Sequence, residues 1–142
     1  MSDFEVRRAD WARDEEALRL VRFTVFVAEQ RVPESLEWDG IDAGCEHAIA
    51  WSADGHPVGC GRLLPDGHVG RMAVLREWRG RGVGGAILER LTALAAERGH
   101  AKAMLNAQSH AIPFYERHGY RVVGDPFDEA GIPHVAMERV LR

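Results

Sequence analysis

A chain of 142 residues that is 46% hydrophobic can bury a sizeable core, and its length matches one domain, here taken as residues 1–142. The net charge of −4 argues against a nucleic-acid binder, which would present a basic face. No apolar run approaches the roughly 18 residues of a membrane span, and the acidic start Met1-Ser2-Asp3-Phe4-Glu5 lacks the basic and apolar stretches of a signal peptide, so a soluble cytoplasmic protein is expected.

Residues 4–8 read as a first strand. Residues 11–28 read as a helix capped by Asp10, broken near Thr24, with Leu18, Val21 and Val25 on one face. Residues 32–44, with Pro33, Gly40 and Gly44 among Glu34, Glu37, Asp39 and Asp42, are too acidic and punctuated for a regular element. Strands at 47–52 and 57–64 flank Asp54-Gly55, a hairpin signal, and Asp66-Gly67 turns the chain into a third antiparallel strand at 69–75. Cys60, between Gly59 and Gly61, reads as a small core residue rather than an acyl carrier; Cys45 and Cys60 form no CxxC, so neither zinc nor a disulfide is expected.

A helix at 83–98 follows, with Ile87, Leu88, Leu91, Leu94 and Ala95 at helical spacing and Gly99 at its end. Then come a strand at 101–106, a short helix at 112–118, and strands at 120–124 and 134–141. No repeat, linker or low-complexity tract interrupts this order.

The densest signal is Trp78-Arg79-Gly80-Arg81-Gly82-Val83-Gly84-Gly85-Ala86-Ile87, a glycine loop between a strand and a helix. The first N–H groups of a helix lack intrahelical partners and carry partial positive charge, so such a loop holds phosphate. A Walker loop would need Gly-Lys-Ser/Thr, and Gly84-Gly85-Ala86 stands there instead. Gly80, Gly82 and Gly85 satisfy GxGxxG, but the next strand ends in Asn106 and Gln108 and offers no ribose-binding carboxylate. Acyl-coenzyme A is the third ligand class.

Arg79-x-x-Gly82-x-Gly84 and the later Ala111-Ile112-Pro113-Phe114-Tyr115-Glu116-Arg117-His118-Gly119-Tyr120 resemble, in order and separation, the R/Q-x-x-G-x-G/A and A-x-x-F-Y-x-x-x-G-F/Y signatures of the GNAT N-acetyltransferases. Residues 25–30 with Val32, Glu37-x-Asp39, Asp42, His47, Gly59-x-Gly61-Arg62-Leu63 and Gly131-Ile132-Pro133-His134 are similar to the ElaA-like bacterial subgroup. One departure is Gln108, where many members carry Asn.

The resemblance implies an α/β (α+β) fold, a mixed and mostly antiparallel sheet flanked by helices, whose fourth and fifth strands splay apart. Acetyl-CoA is the implied co-substrate, with no metal. The main chain of Met72, Ala73 and Val74 would pair with the pantetheine arm. Gly80, Arg81, Gly82, Val83, Gly84 and Gly85 would donate N–H groups to the pyrophosphate, Arg79 would add charge, and Asn106 and Gln108 would line the other wall. A homodimer through sheet edges or the last strand stays open.

Acetyl transfer to an amine asks for a base on the amine side and an acid for the departing thiolate. Tyr115, a phenol that stays protonated at neutral pH, is the candidate acid. Glu29, Glu37, Asp39, Asp42, Glu129, His47 and His134 are candidate bases, with Glu29 and His134 foremost. The acidic segment 34–42 is either a solvated surface or a rim that attracts a cationic amine. If it is a rim, polyamines, amino sugars and protein amines are the acceptors to consider. Two other readings are a non-catalytic acyl-CoA binding module and a nicotinamide-dependent enzyme.

Overall fold

The computed structural model describes residues 3–142. The elements in chain order are β1 (Phe4–Ala9), α1 (Trp11–Arg22), a π-helical segment (Phe23–Glu29), α2 (Glu34–Glu37), β2 (Glu46–Ser52), β3 (Pro57–Leu63), β4 (Val69–Val74), α3 (Val83–Glu97), β5 (Lys102–Gln108), α4 (Ile112–Glu116), β6 (Arg121–Glu129) and β7 (Ile132–Val140). Among the described residues, no helix is long and apolar enough to cross a membrane.

Asp10 caps α1, its carboxylate accepting from the N–H groups of Ala12 and Arg13. The expected break near Thr24 is a change of helix type: the chain passes into π geometry from Phe23, and the Thr24 hydroxyl donates back to the Leu20 carbonyl. The segment 32–44, expected to be irregular, contains the one-turn α2 and a 3-10 turn at Asp42–Gly44, so that expectation is corrected. Its order comes from long-range ion pairs that local composition does not reveal. The sixth strand, expected at 120–124, runs on to Glu129, where a turn at Ala130 and Gly131 leads into β7.

Four antiparallel strands form one sheet in the order β1-β2-β3-β4, and three form another in the order β5-β7-β6. Among the described residues, a single parallel bridge, His68 to Met104, joins them, reinforced by the Met104 N–H donating to the Gly67 carbonyl at 3.0 Å. Beyond it β4 and β5 separate, which is the splay expected of the fold.

Helix α3 packs one face of the first sheet with Ile87, Leu88 and Leu91, all fully buried, against Ala48, Ala50 and Leu63. Gly61 makes this close approach feasible: a Cβ there would lie 2.7 Å from the Leu91 side chain. Leu18, Val21 and Val25 cover the other face over Ile49, Cys60 and Ala73. Cys60 is fully enclosed, and burial pushes its thiol up to about 12, which suits a packing residue and not a nucleophile.

Candidate active site

The wedge between β4 and β5 leads to two adjoining clefts. Leu75 N–H donates to the Val58 carbonyl at 2.9 Å, and Ala73 faces Cys60 across the β3–β4 ladder. The alternation of an antiparallel ladder therefore turns the N–H and C=O of Val74, and two residues back those of Met72, away from β3 and into the wedge. Side chains on this strand serve other ends. Ala73 is core, and Met72 packs under α3.

The first cleft, of about 590 Å³, is lined by Val74, Gly80, the start of α3, Phe114 and His118. Gly82 caps α3 with φ +85°, a conformation that favours glycine, and no side chain satisfies the first N–H groups of this helix. A Cβ at Gly80 or Gly82 would meet nothing within 4 Å, so the main chain lies open to a ligand. An anion therefore finds unpaired donors, partial positive charge and clear approach in one place. Arg81 lies over the Trp78 ring at 4.6 Å. His118 also lines this cleft, with Nδ1 donating to Glu89 at 2.7 Å.

The second cavity, of about 510 Å³, is lined by Met72, Asn106, Gln108, Tyr115, Glu129 and His134 among others. Asn106 and Gln108 thus lie on the far side of the wedge from the glycine loop, and the Gln108 side-chain oxygen is engaged by His110 at 2.7 Å. Phe114 and Tyr115 are neighbours on α4 with ring centroids 5.0 Å apart. Phe114 faces the first cleft and Tyr115 the second. Burial raises the Tyr115 phenol above its ordinary value, and among the described residues none hydrogen-bonds its hydroxyl. It is a protonated donor on the wall of the second cavity, next in the chain to the Phe114 that lines the first.

His134 is 6% exposed, and its Nδ1 donates to the Ile132 carbonyl at 2.7 Å. With Nδ1 so engaged, the other ring nitrogen, Nε2, stands 3.6 Å from Glu129. Glu29 stands elsewhere. Its carboxylate is held by Arg79 through two bonds of 2.7 Å, which keep it below the usual carboxylate range and make it a poor proton acceptor. Arg79 also donates from Nε to the Val74 carbonyl at 3.0 Å, so its guanidinium ties the first helical stretch to the end of β4.

Of the other candidate bases, Glu37 and Asp42 are buried and Asp39 is partly covered. Arg22, 1% exposed, donates to Glu37 and Asp42, each at 2.7 Å; Arg62 donates to Asp42 at 2.9 Å and to Asp39 at 2.6 Å; Arg71 adds contacts of 3.3 Å to Glu37 and Asp39. Hydrogen bonding from Arg62 holds Asp39 down to about 2. Three carboxylates face three guanidinium groups, so Glu37, Asp39 and Asp42 form a neutralised cluster and neither a solvated surface nor an attracting rim, while Glu34 stays exposed and accepts from Trp38 Nε1. His47 is buried with Nε2 donating to the Asp42 carbonyl at 2.8 Å, and burial lowers its pKa. One signal for this cluster stood in the sequence: Arg22 shares the buried helical face of Leu18 and Val25, and a buried guanidinium requires acidic partners.

The chain matches the model of the acetyltransferase (GNAT) domain over residues 10–141. It belongs to the GNAT acetyltransferase family. The uncharacterized N-acetyltransferase YjcF of Bacillus subtilis is 43% identical over 133 residues, covering 89% of this chain and 94% of that protein. The crystal structure of a putative N-acetyltransferase from Lactobacillus plantarum superposes with a TM-score of 0.90 at 29% identity, covering 99% of this chain and all of that one. Escherichia coli ElaA superposes at 0.84 with 27% identity over 96% of this chain and 99% of its own. This GNAT protein is an acetyltransferase, and α4 places Phe114 on its first cleft and Tyr115 on its second.

Proposed function

We propose that this GNAT protein transfers the acetyl group of acetyl-CoA directly to a primary amine, with Tyr115 as general acid and His134 as general base. The observation that carries this reading is the pairing of the two clefts through neighbouring residues of α4, Phe114 on the first and the half-buried Tyr115 on the second, where His134 also lies with Nε2 not engaged by the Ile132 carbonyl. The glycine loop and the first turn of α3 would hold the pyrophosphate on main-chain N–H groups, and the inward groups of Met72 with the N–H of Val74, whose carbonyl Arg79 already occupies, would pair with the pantetheine arm. Acetyl-CoA supplies an activated acyl thioester.

The residues of the chain then divide the proton work. His134 Nε2 takes a proton from the ammonium and leaves a nucleophilic nitrogen. That nitrogen bonds to the thioester carbonyl carbon as the C–S bond breaks, and the Tyr115 hydroxyl gives its proton to the departing thiolate. The second proton that the nitrogen sheds on becoming an amide restores the phenol through water, and His134 returns its proton to solvent. Glu29 has no place in that relay; it positions Arg79 beside the cofactor cleft.

Thermal unfolding with acetyl-CoA, coenzyme A or NAD, paired with an assay for thiol release in the presence of amines, tests the reading. A ligand at 100 times its Kd stabilises by about 2.7 kcal/mol. Shifts with both coenzyme A species but not NAD, together with amine-dependent thiol release, are expected. Stabilisation without thiol release for any amine would indicate an acyl-CoA binding module, and a shift with NAD alone would overturn the assignment of the glycine loop.

A further inference from the structure

Charges around the acceptor cavity are nearly all spoken for. Glu37, which lines it, is 3% exposed and closed by Arg22 and Arg71. Arg71, also in the lining, donates to the carbonyls of Leu36 and Glu37 as well as to Asp39, and Arg62 closes Asp39 from the other side. Arg71 adopts φ +48° where β4 bulges against β3, so its backbone conformation, uncommon for a non-glycine residue, aims the guanidinium at this cluster and away from free solvent.

Glu129 differs from the other lining charges. It ends β6, its side chain is 56% exposed, and among the described residues it has no arginine or lysine partner, only His134 Nε2 at 3.6 Å. Around it Phe26, Val32, Leu36, Met72, Leu105 and Ile132 give the cavity an apolar wall. Among the described residues lining the cavity, Glu129 is therefore the carboxylate without an arginine or lysine partner, placed beside the proposed base, and the one arginine, Arg71, is ion-paired with Glu37 and Asp39.

We infer that the acceptor is a primary amine with a single positive charge on an apolar body, its ammonium received by Glu129 beside His134. The inference rests on the acetyltransferase reading above and narrows its acceptor. Before transfer the ammonium sits between a carboxylate that attracts it and the imidazole that takes its proton. A second ammonium further along the body would be stripped of water against apolar side chains without a carboxylate to meet it. A carboxylate at the same place would find only Arg71, already engaged by Glu37 and Asp39. The structure thus disfavours polyamines and free amino acids through the charges it has neutralised as much as through those it presents.

Three probes of equal chain length, n-hexylamine, 1,6-diaminohexane and 6-aminohexanoate, separate these cases. Calorimetric titration into the full chain saturated with coenzyme A, which has no acetyl group and permits no turnover, reads amine binding alone. n-Hexylamine is expected to bind at least roughly five-fold more tightly than either analogue, and Glu129→Gln is expected to remove about that factor while leaving coenzyme A affinity unchanged. Tighter binding of the diamine would mean the acidic cluster retains net negative reach. Tighter binding of 6-aminohexanoate would make Arg71 the recognition group. Each result overturns the inference, as would unchanged n-hexylamine affinity in Glu129→Gln or no binding of any probe. Failure of coenzyme A itself to bind would instead overturn the acetyltransferase reading.

Discussion

The two clefts are built from different materials. The proposed cofactor cleft uses main chain: a glycine loop, a helix start without a side-chain cap among the described residues, and a strand edge, β4, that pairs with β3 on one side only and whose Val74 carbonyl is taken by Arg79. The acceptor cavity uses side chains from every quarter of the chain, from Phe26 to His134, and a six-charge cluster holds part of its wall. A backbone site tolerates many side chains but few changes of conformation. A side-chain site can be retuned position by position, while the ion pairs behind it cannot be broken singly without leaving a buried charge.

Substitutions in each region should break the comparison in different ways. Gly82→Glu puts a bulky anion at φ +85° on the rim of the cofactor cleft, so coenzyme A binding by calorimetry should vanish while the fold, read by circular dichroism, persists. Binding retained would remove the loop from the cofactor site. Arg22→Met acts on the other region: it leaves Glu37 and Asp42 without their buried partner and should cost about 3–5 kcal/mol in chemical unfolding. A loss below about 1 kcal/mol would show that the cluster is wetter than its burial indicates.

Tyr115→Phe tests the junction. It should lower kcat roughly 100-fold or more, with coenzyme A affinity little changed, if the phenol protonates the leaving thiolate. An unchanged kcat in steady-state assays would take Tyr115 out of the mechanism.

Acid should weaken the acceptor side first. Burial lowers the His47 pKa in the folded chain, so the unfolded chain takes up its proton earlier as the pH falls. The contribution of this group is therefore complete above the ordinary histidine value of about 6.5 and declines below it, by no more than about 1.4 kcal/mol per pH unit. The urea midpoint should drop on acidification from about pH 7.5 to about pH 5.5, and the slope should flatten in His47→Gln. Asp39, held down to about 2 by Arg62, adds a second loss that begins only below the ordinary aspartate range.

The smallest expected effect sharpens the comparison most. Glu29→Gln should raise the KM for acetyl-CoA a few-fold, roughly, through a loosened Arg79, while the pH profile of kcat keeps its shape. A lost basic group in that profile would return Glu29 to the candidate bases.

Where the sequence was readable, local physics was enough. Asp10 sits where a helix cap belongs, Asp54-Gly55 and Asp66-Gly67 turn the strands, and Ile87, Leu88, Leu91 and Ala95 mark the buried face of α3. The glycine loop was legible because its chemistry lies in consecutive residues. The helical turn at Glu34–Glu37, the continuation of β6 to Glu129 and the partner of Glu29 were not, because each depends on residues far away in the chain.

The order of elements, the glycine loop and the motif that holds Tyr115 follow from the sequence by itself, since hydrogen-bonding periodicity, glycine conformations and a contiguous motif are properties of neighbouring residues. Tertiary structure alone decided which charges remain available. Glu37, Asp39 and Asp42 are neutralised by Arg22, Arg62 and Arg71, Glu29 is occupied by Arg79, and His134 and Glu129 are left together in the acceptor cavity. Electrostatic pairing depends on distance in space and on burial, and composition records neither.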